Sequence, residues 1–192
     1  MSTANSETGD YVRLDLFENP EFSRGASRVK ELFWLAVSAV LFESWLPGSG
    51  WRRQVLRAFG ADIGKGVIIK PRVRVKFPWR LKIGDHSWIG EAVWIDNLAQ
   101  VTVGSHCCLS QGAYLCTGSH DWTDPKFKLT THPIEIGHGC WVGAKASLAP
   151  GTVLEDGVVV AMGKCVSGVL EGWTIHAFAT VKSAKKRSLQ NN

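Results

Sequence analysis

From Ile63 onward the chain places an aliphatic residue at every sixth position, a period that suits neither an α-helix nor a simple alternating strand. The series runs Ile63, Ile69, Val75, then Ile83, Ile89, Ile95, then Val103, Leu109, Leu115, then Ile136, Val142, Leu148, and last Leu154, Val160, Val166. Small residues tend to follow four positions later, at Ser87, Ala99, Cys107, Ala113, Ser119, Cys140, Ala146 and Thr152, and glycine often follows directly, as in Ile63-Gly64, Ile83-Gly84 and Val142-Gly143. A chain that turns a corner every six residues accounts for all of this. Three short strands close a triangular coil, the aliphatic of each side points at the axis, and coils stack as parallel strands about 4.8 Å apart. Glycine and small side chains fit the crowded corners.

The coils begin at Ile63, Ile83, Val103, Ile136 and Leu154, at spacings of 20, 20, 33 and 18 residues. Dipeptides such as Leu81-Lys82 and Val101-Thr102 account for the small excesses, and the large one predicts a loop over 121–133 that protrudes from the third coil. The expected architecture is an all-β parallel β-helix of about five coils over 61–182. It is preceded by an acidic tail, 1–27, and a hydrophobic helical segment, 28–60, and followed by a basic tail, 183–192.

A 45% hydrophobic and 20% charged composition excludes wholesale disorder. Five cysteines without a Cys-x-x-Cys pair argue against both a disulfide framework and a zinc cluster. Reduced thiols, an acidic start with no signal-peptide pattern and no apolar run long enough to span a bilayer point to a cytoplasmic protein. The net charge of +5 is compatible with anionic partners and specifies none; no nucleic-acid role is read from it.

Charge is segregated, however: residues 1–21 carry five acids against Arg13, whereas residues 22–80 carry twelve bases against three acids. The apolar stretch Glu31 to Leu46 lies between Arg28 and Lys30 on one side and Arg52, Arg53 and Arg57 on the other. Such a segment either packs on the body of the protein or a neighbouring subunit, or gives 28–57 a peripheral contact with an anionic membrane surface.

Over roughly residues 32–171 the sequence resembles the hexapeptide-repeat acyltransferases, most closely the colanic acid biosynthesis type of sugar O-acetyltransferase. The stretches that carry the resemblance are IGKGVIIKPRVRVKFPWRLKIGDHSWIGEAVWIDN, LSQGAYLCTGSHDW and IEIGHGCWVGAKASLAPGTV. The resemblance implies a left-handed β-helix, a homotrimer, and direct transfer of an acetyl group from acetyl-coenzyme A to a sugar of a surface polysaccharide or its lipid-linked precursor.

Within that resemblance His120, where the third coil gives way to the excursion, matches the catalytic histidine. A hydroxyl is a weak nucleophile until a base removes its proton, and imidazole suits that task. Asn97 is the expected partner of the acceptor or the oxyanion, with Asp96, Asp121 and Trp122 as acceptor-binding candidates; Asp121 also stands where it could orient the imidazole. Asp96 and Asn97 have an ordinary structural alternative, since Asx residues make turns. Acetyl-coenzyme A needs a long groove with cations at one end, and the matching positions are Trp141, Ala144, Met162 and Ser167, with Lys182, Lys185 and Lys186 toward the phosphates. One departure stands out: the Gly-Asn-Pro-Ala segment with which many relatives shape that groove is absent from CVSGVLEGWTIHAFATVKSAKKR.

No metal is expected. The γ-class carbonic anhydrases share this fold, but their His-x-x-x-x-His pair does not occur among His86, His106, His120, His132, His138 and His176. Two alternatives to the sugar acetyltransferase stay open: an acyltransferase with another acceptor, such as an amino sugar or a xenobiotic, and a noncatalytic β-helix scaffold.

Overall fold

A computed structural model describes residues 12–177 and the backbone of the strand Lys185–Lys186. The six-residue period becomes a three-sided prism. Its first face stacks Asp62–Ile63, Leu81–Ile83, Val101–Val103, Ile134–Ile136, Val153–Leu154 and Val169–Leu170 as parallel neighbours. The second face runs from Ile68–Ile69 to Thr174–His176, and the third from Arg74–Val75 to Cys165–Val166. On the first face Ile63, Ile83, Val103, Ile136, Leu154 and Leu170 pair in unbroken register, and all six are buried. Their side chains form one continuous column of core.

The prism has about six coils, one more than the strict hexad count predicts. Leu170 follows Val166 by four residues instead of six, which hides the last coil from a search for sixes, although Val169–Leu170 pairs with Val153–Leu154 like any other rung.

Corner geometry explains the uneven glycine pattern. Arg72, Ala92, Gly112, Lys145 and Gly163 form one corner column, all with φ between 56° and 69°. Gly66, His86, His106, Gly139, Gly157 and Trp173 form another with the same left-handed backbone. Glycine adopts this conformation freely, and other residues do so at a cost of roughly 1 kcal/mol or more. His86 and His106 are therefore corner residues, and their rings stack 5.4 Å apart along the column. At Gly66 a Cβ would lie 2.3 Å from the His86 ring, so that position needs glycine.

The expected helical segment forms two helices, α1 (Arg28–Val37) and α2 (Gly50–Ala58), with a π-helical turn at Ser38–Phe42 between them. The Ser27 side chain accepts the Lys30 N–H and caps α1. Together the helices close one end of the axis: Trp34, Phe42 and Leu56 are fully buried, and the Trp34 indole donates to the Val75 carbonyl at 2.9 Å. Truncating Trp34 to alanine would cost about 3–5 kcal/mol.

Three cations expected to flank a lipid-facing helix are occupied elsewhere. Arg52 is buried and donates to the Gly48 carbonyl, Arg53 to Val67 and Arg57 to Ile63. α1 itself still exposes Val29, Leu32, Phe33 and Leu35. Among the described residues no helix is long and apolar enough to cross a membrane.

Candidate active site

The excursion leaves the prism at the corner between the third and first faces. Most of it is a hairpin: Gly118–His120 pairs antiparallel with Leu129–Thr131, placing His120 opposite Leu129 and Gly118 opposite Thr131. The segment between these strands, residues 121–128, is loop.

His120, at the end of the outgoing strand, is half-buried. Its Nδ1 lies 2.8 Å from the Phe127 carbonyl, and the Phe127 ring stacks on the imidazole at 4.1 Å and 3°. A carbonyl oxygen can only accept, so Nδ1 carries a proton, and in the neutral ring the lone pair is left on Nε2. The hairpin thus holds the tautomer a general base requires. Phe127 has φ 51°, a left-handed backbone uncommon for an aromatic residue, and its N–H donates to the Asp124 carbonyl at 2.8 Å. Strained backbone of this kind persists where the surroundings enforce it.

Asp121 does not take the orienting role expected of it, because the Nδ1 partner is Phe127. Its Oδ1 accepts from the Thr123 N–H at 2.9 Å and the Thr123 hydroxyl at 2.6 Å, and these bonds hold its carboxyl below the usual range. Asp121 therefore shapes the tip as an Asx turn. Trp122, next in the chain, is 78% exposed.

Asn97 is placed differently from its expected role as well. It is fully buried one rung below Thr117; its Oδ1 accepts the Phe77 N–H at 2.9 Å, and its amide donates to the Phe77 and Arg80 carbonyls at 2.7 and 2.9 Å. Both amide hydrogens are used, leaving none for an oxyanion. Asn97 is a corner clamp and not a side-chain donor to an oxyanion. Asp96 is likewise engaged: Oδ1 lies 3.1 Å from the Lys76 ammonium, and Oδ2 accepts the Tyr114 hydroxyl at 3.3 Å. Burial is the first cause that pushes the Tyr114 hydroxyl up from its ordinary value, with Cys116 and Asp96 adding to it.

Of the candidates for the coenzyme, Trp141, Ala144 and Met162 lie on another side of the prism. Trp141 sits on the second face in register with Cys108 and Val159, half-exposed, its indole donating to the Ser110 hydroxyl at 2.8 Å. Ala144 and exposed Met162 lie at the corner beyond that face, where Gly143 lets the Met162 backbone approach within 2.5 Å of a would-be Cβ. Exposed Ser167 belongs to the corner after the third face, two coils above the hairpin in the same corner column. Lys182 lies outside the described residues; Lys185 and Lys186 are described only as backbone, pairing with Ile175 and Thr174. Within one chain, then, Trp141 and His120 occupy different sides of the prism.

Sequence reasoning missed the partners that the N-terminal segment brings to this corner. The Arg13 N–H donates to the Pro125 carbonyl at 2.7 Å, Lys128 pairs with Glu21 at 3.0 Å, and the Phe17 ring lies 5.7 Å from His120. Acids at 18 and 21 facing lysines at 126 and 128 were the available signal.

Coils stacked in this way define the hexapeptide-repeat proteins, and residues 133–167 match the family model described as "Hexapeptide repeat of succinyl-transferase". Over 146 residues, 75% of this chain and 80% of the relative, the sequence is 42% identical to the protein named as the colanic acid biosynthesis acetyltransferase WcaF of Escherichia coli K12. The chain belongs to the hexapeptide-repeat acyltransferase family and is an acetyltransferase homologous to that protein. Its fold is shared by a maltose O-acetyltransferase of Clostridium difficile 630, with TM-score 0.73 and 20% identity over 84% of this chain and 88% of that one. A hexapeptide-repeat acetyltransferase of Vibrio cholerae, solved with acetyl-coenzyme A, gives TM-score 0.74 and 19% identity over 92% and 97%.

Proposed function

We propose that this acetyltransferase moves the acetyl group of acetyl-coenzyme A directly to a hydroxyl of a sugar, one belonging to a surface polysaccharide or its lipid-linked precursor. The observation that carries this reading is the fixed tautomer of His120, whose Nδ1 is committed to the Phe127 carbonyl at 2.8 Å. Nε2 takes the proton of the acceptor hydroxyl as its oxygen attacks the thioester carbonyl. The tetrahedral intermediate then collapses with loss of the coenzyme A thiolate, which recovers the proton from the imidazolium. No acyl-enzyme forms. Since Asn97 has no hydrogen to give, the oxyanion is assigned to backbone N–H donors.

The thioester groove is proposed to run past Trp141, Ala144, Met162 and Ser167, with Lys182, Lys185 and Lys186 toward the phosphates. Because Trp141 and His120 lie on different sides of one prism, a complete site would join the histidine of one subunit to the groove of another, and this supports a homotrimer. The exposed apolar face of α1 supports a peripheral contact at the inner face of the membrane, close to a lipid-linked acceptor.

The test is His120→Ala, assayed for acetylation of sugar acceptors from acetyl-coenzyme A. Turnover should fall by about 10²–10⁴, the usual worth of a general base, with coenzyme A binding by calorimetry retained. Wild-type turnover in the variant would refute the mechanism.

A further inference from the structure

A cavity of about 480 Å³ lies at the same corner as His120, one coil below the hairpin. One wall is the N-terminal segment, with Glu21 and Phe22; the floor is the prism corner, with Arg80 and Gln100; the roof is the hairpin, with Leu129 and Thr131. Leu129 and Thr131 stand directly across from His120 and Gly118. Paired residues of an antiparallel ladder project to the same face, so the cavity opens on the side of the hairpin that carries the imidazole.

The N-terminal wall is tied to the rest of the site at several independent points. Arg80 donates to the carbonyls of Leu98 on the corner and Ser23 on the wall, and its guanidinium lies 5.5 Å from the Phe22 ring. The Trp79 indole donates to the Arg24 carbonyl at 2.8 Å. Farther along, Glu21 meets Lys128 and the Arg13 N–H meets the Pro125 carbonyl. Residues 13–24 thus form a strap from the prism to the tip of the hairpin, with Phe17 against His120.

We propose that this cavity is the acceptor subsite, and that the strap supplies the carboxylate and aromatic surface by which the enzyme selects a sugar. The proposal rests on the reading of the chain as a sugar acetyltransferase and deepens it. The volume falls within the range of small-molecule sites and suits one or two pyranose units. Its chemistry suits a polyhydroxylated ligand: the Glu21 carboxylate accepts, the Gln100 amide does both, and the Thr131 hydroxyl does both. Phe22 and Leu129 add apolar surface for the C–H face of a ring.

The experiment uses the full chain and two probes, methyl glucoside and methyl galactoside, followed by saturation-transfer NMR for binding and by acetylation kinetics for turnover. Gln100→Trp fills the cavity; Glu21→Ala removes a carboxylate from the exposed strap and leaves the prism untouched. Binding of a glycoside to the wild type is expected, with acceptor KM raised about tenfold in Gln100→Trp, raised less in Glu21→Ala, and the KM for acetyl-coenzyme A unchanged in both. His120→Ala should keep the glycoside signal while losing transfer. If both cavity variants melt like the wild type and leave glycoside binding and acceptor KM unaltered, the subsite is overturned while the acetyltransferase reading stands. Glycoside binding that Gln100→Trp abolishes, without acetyl transfer in the wild type, refutes both the acceptor role of the cavity and the sugar acetyltransferase reading, and leaves the cavity a glycoside-binding site. Failure of the wild type to bind either glycoside overturns the assignment of the cavity to sugars.

Discussion

The Phe127 carbonyl receives the Nδ1 proton of His120 at 2.8 Å from a backbone turned to φ 51°. Orientation of the proposed base therefore rests on a peptide group, and substitutions that keep or destroy that peptide geometry should separate cleanly. Phe127→Gly accepts positive φ without strain and keeps the carbonyl while losing the stacked ring. Phe127→Pro cannot adopt the angle and removes the N–H held by Asp124. The proline variant should lose about 10²–10⁴ in kcat and the glycine variant no more than about tenfold, both with the KM for acetyl-coenzyme A unchanged. Equal losses in the two variants would show that the ring, not the peptide, holds the imidazole.

At Asn97 the outcome should appear in stability. Alanine there orphans the Phe77 N–H and the Phe77 and Arg80 carbonyls inside a fully buried corner. Unpaired buried groups cost about 1–3 kcal/mol each, partly relieved by relaxation, so Asn97→Ala should lose about 3 kcal/mol. For a chain of this size that lowers Tm by about 6–12 °C. An oxyanion role would produce the opposite pattern, an unchanged melting curve with collapsed kcat.

The prism was legible because its core repeats: every marked aliphatic from Ile63 to Val166 is buried. His120 is singled out by the family resemblance of LSQGAYLCTGSHDW, and it stands on the outgoing strand of the hairpin. Asn97 stands at a corner, and sequence cannot say whether a corner amide points out to a ligand or in to the backbone. The strap and Phe127 escaped notice for a different reason. They act through contacts separated by anything from 7 residues, His120 to Phe127, to more than 100, Arg13 to Pro125, and no local period encodes such pairings.

Thiol reactivity should follow the coils. Cys107 and Cys140 occupy buried corners one rung apart, their Sγ atoms directed at the Gly137 and Glu155 carbonyls at 2.9 and 3.1 Å. A side-chain hydrogen bond with the free thiol of Cys140, together with burial, pushes the Cys107 thiol up, further suppressing its thiolate. Cys165 is exposed. Iodoacetamide followed by peptide mass mapping should label Cys165 first, with Cys107 and Cys140 labelled only after denaturation. Native labelling of Cys107 ahead of Cys165 would contradict the packing described for that corner.

Among the described residues, the one break in the aliphatic column of the second face falls in the coil that ends at His176. His176 pairs with Val160, the slot an aliphatic residue fills in the rungs below, and its Nε2 lies 2.9 Å from the Thr174 hydroxyl. Burial, with a contribution from Lys164, holds the imidazole below its ordinary value of 6.5. The folded chain therefore takes up this proton less readily than the unfolded chain does. Its stabilising effect is fully present above pH 6.5 and is lost as pH falls through the unfolded and then the folded value. His176→Val restores the aliphatic column and removes the titration, so its Tm should fall less than that of the wild type on going from neutral pH to about pH 5. Parallel Tm profiles for the two proteins across that interval would show that the end of the prism does not resist protonation at this position.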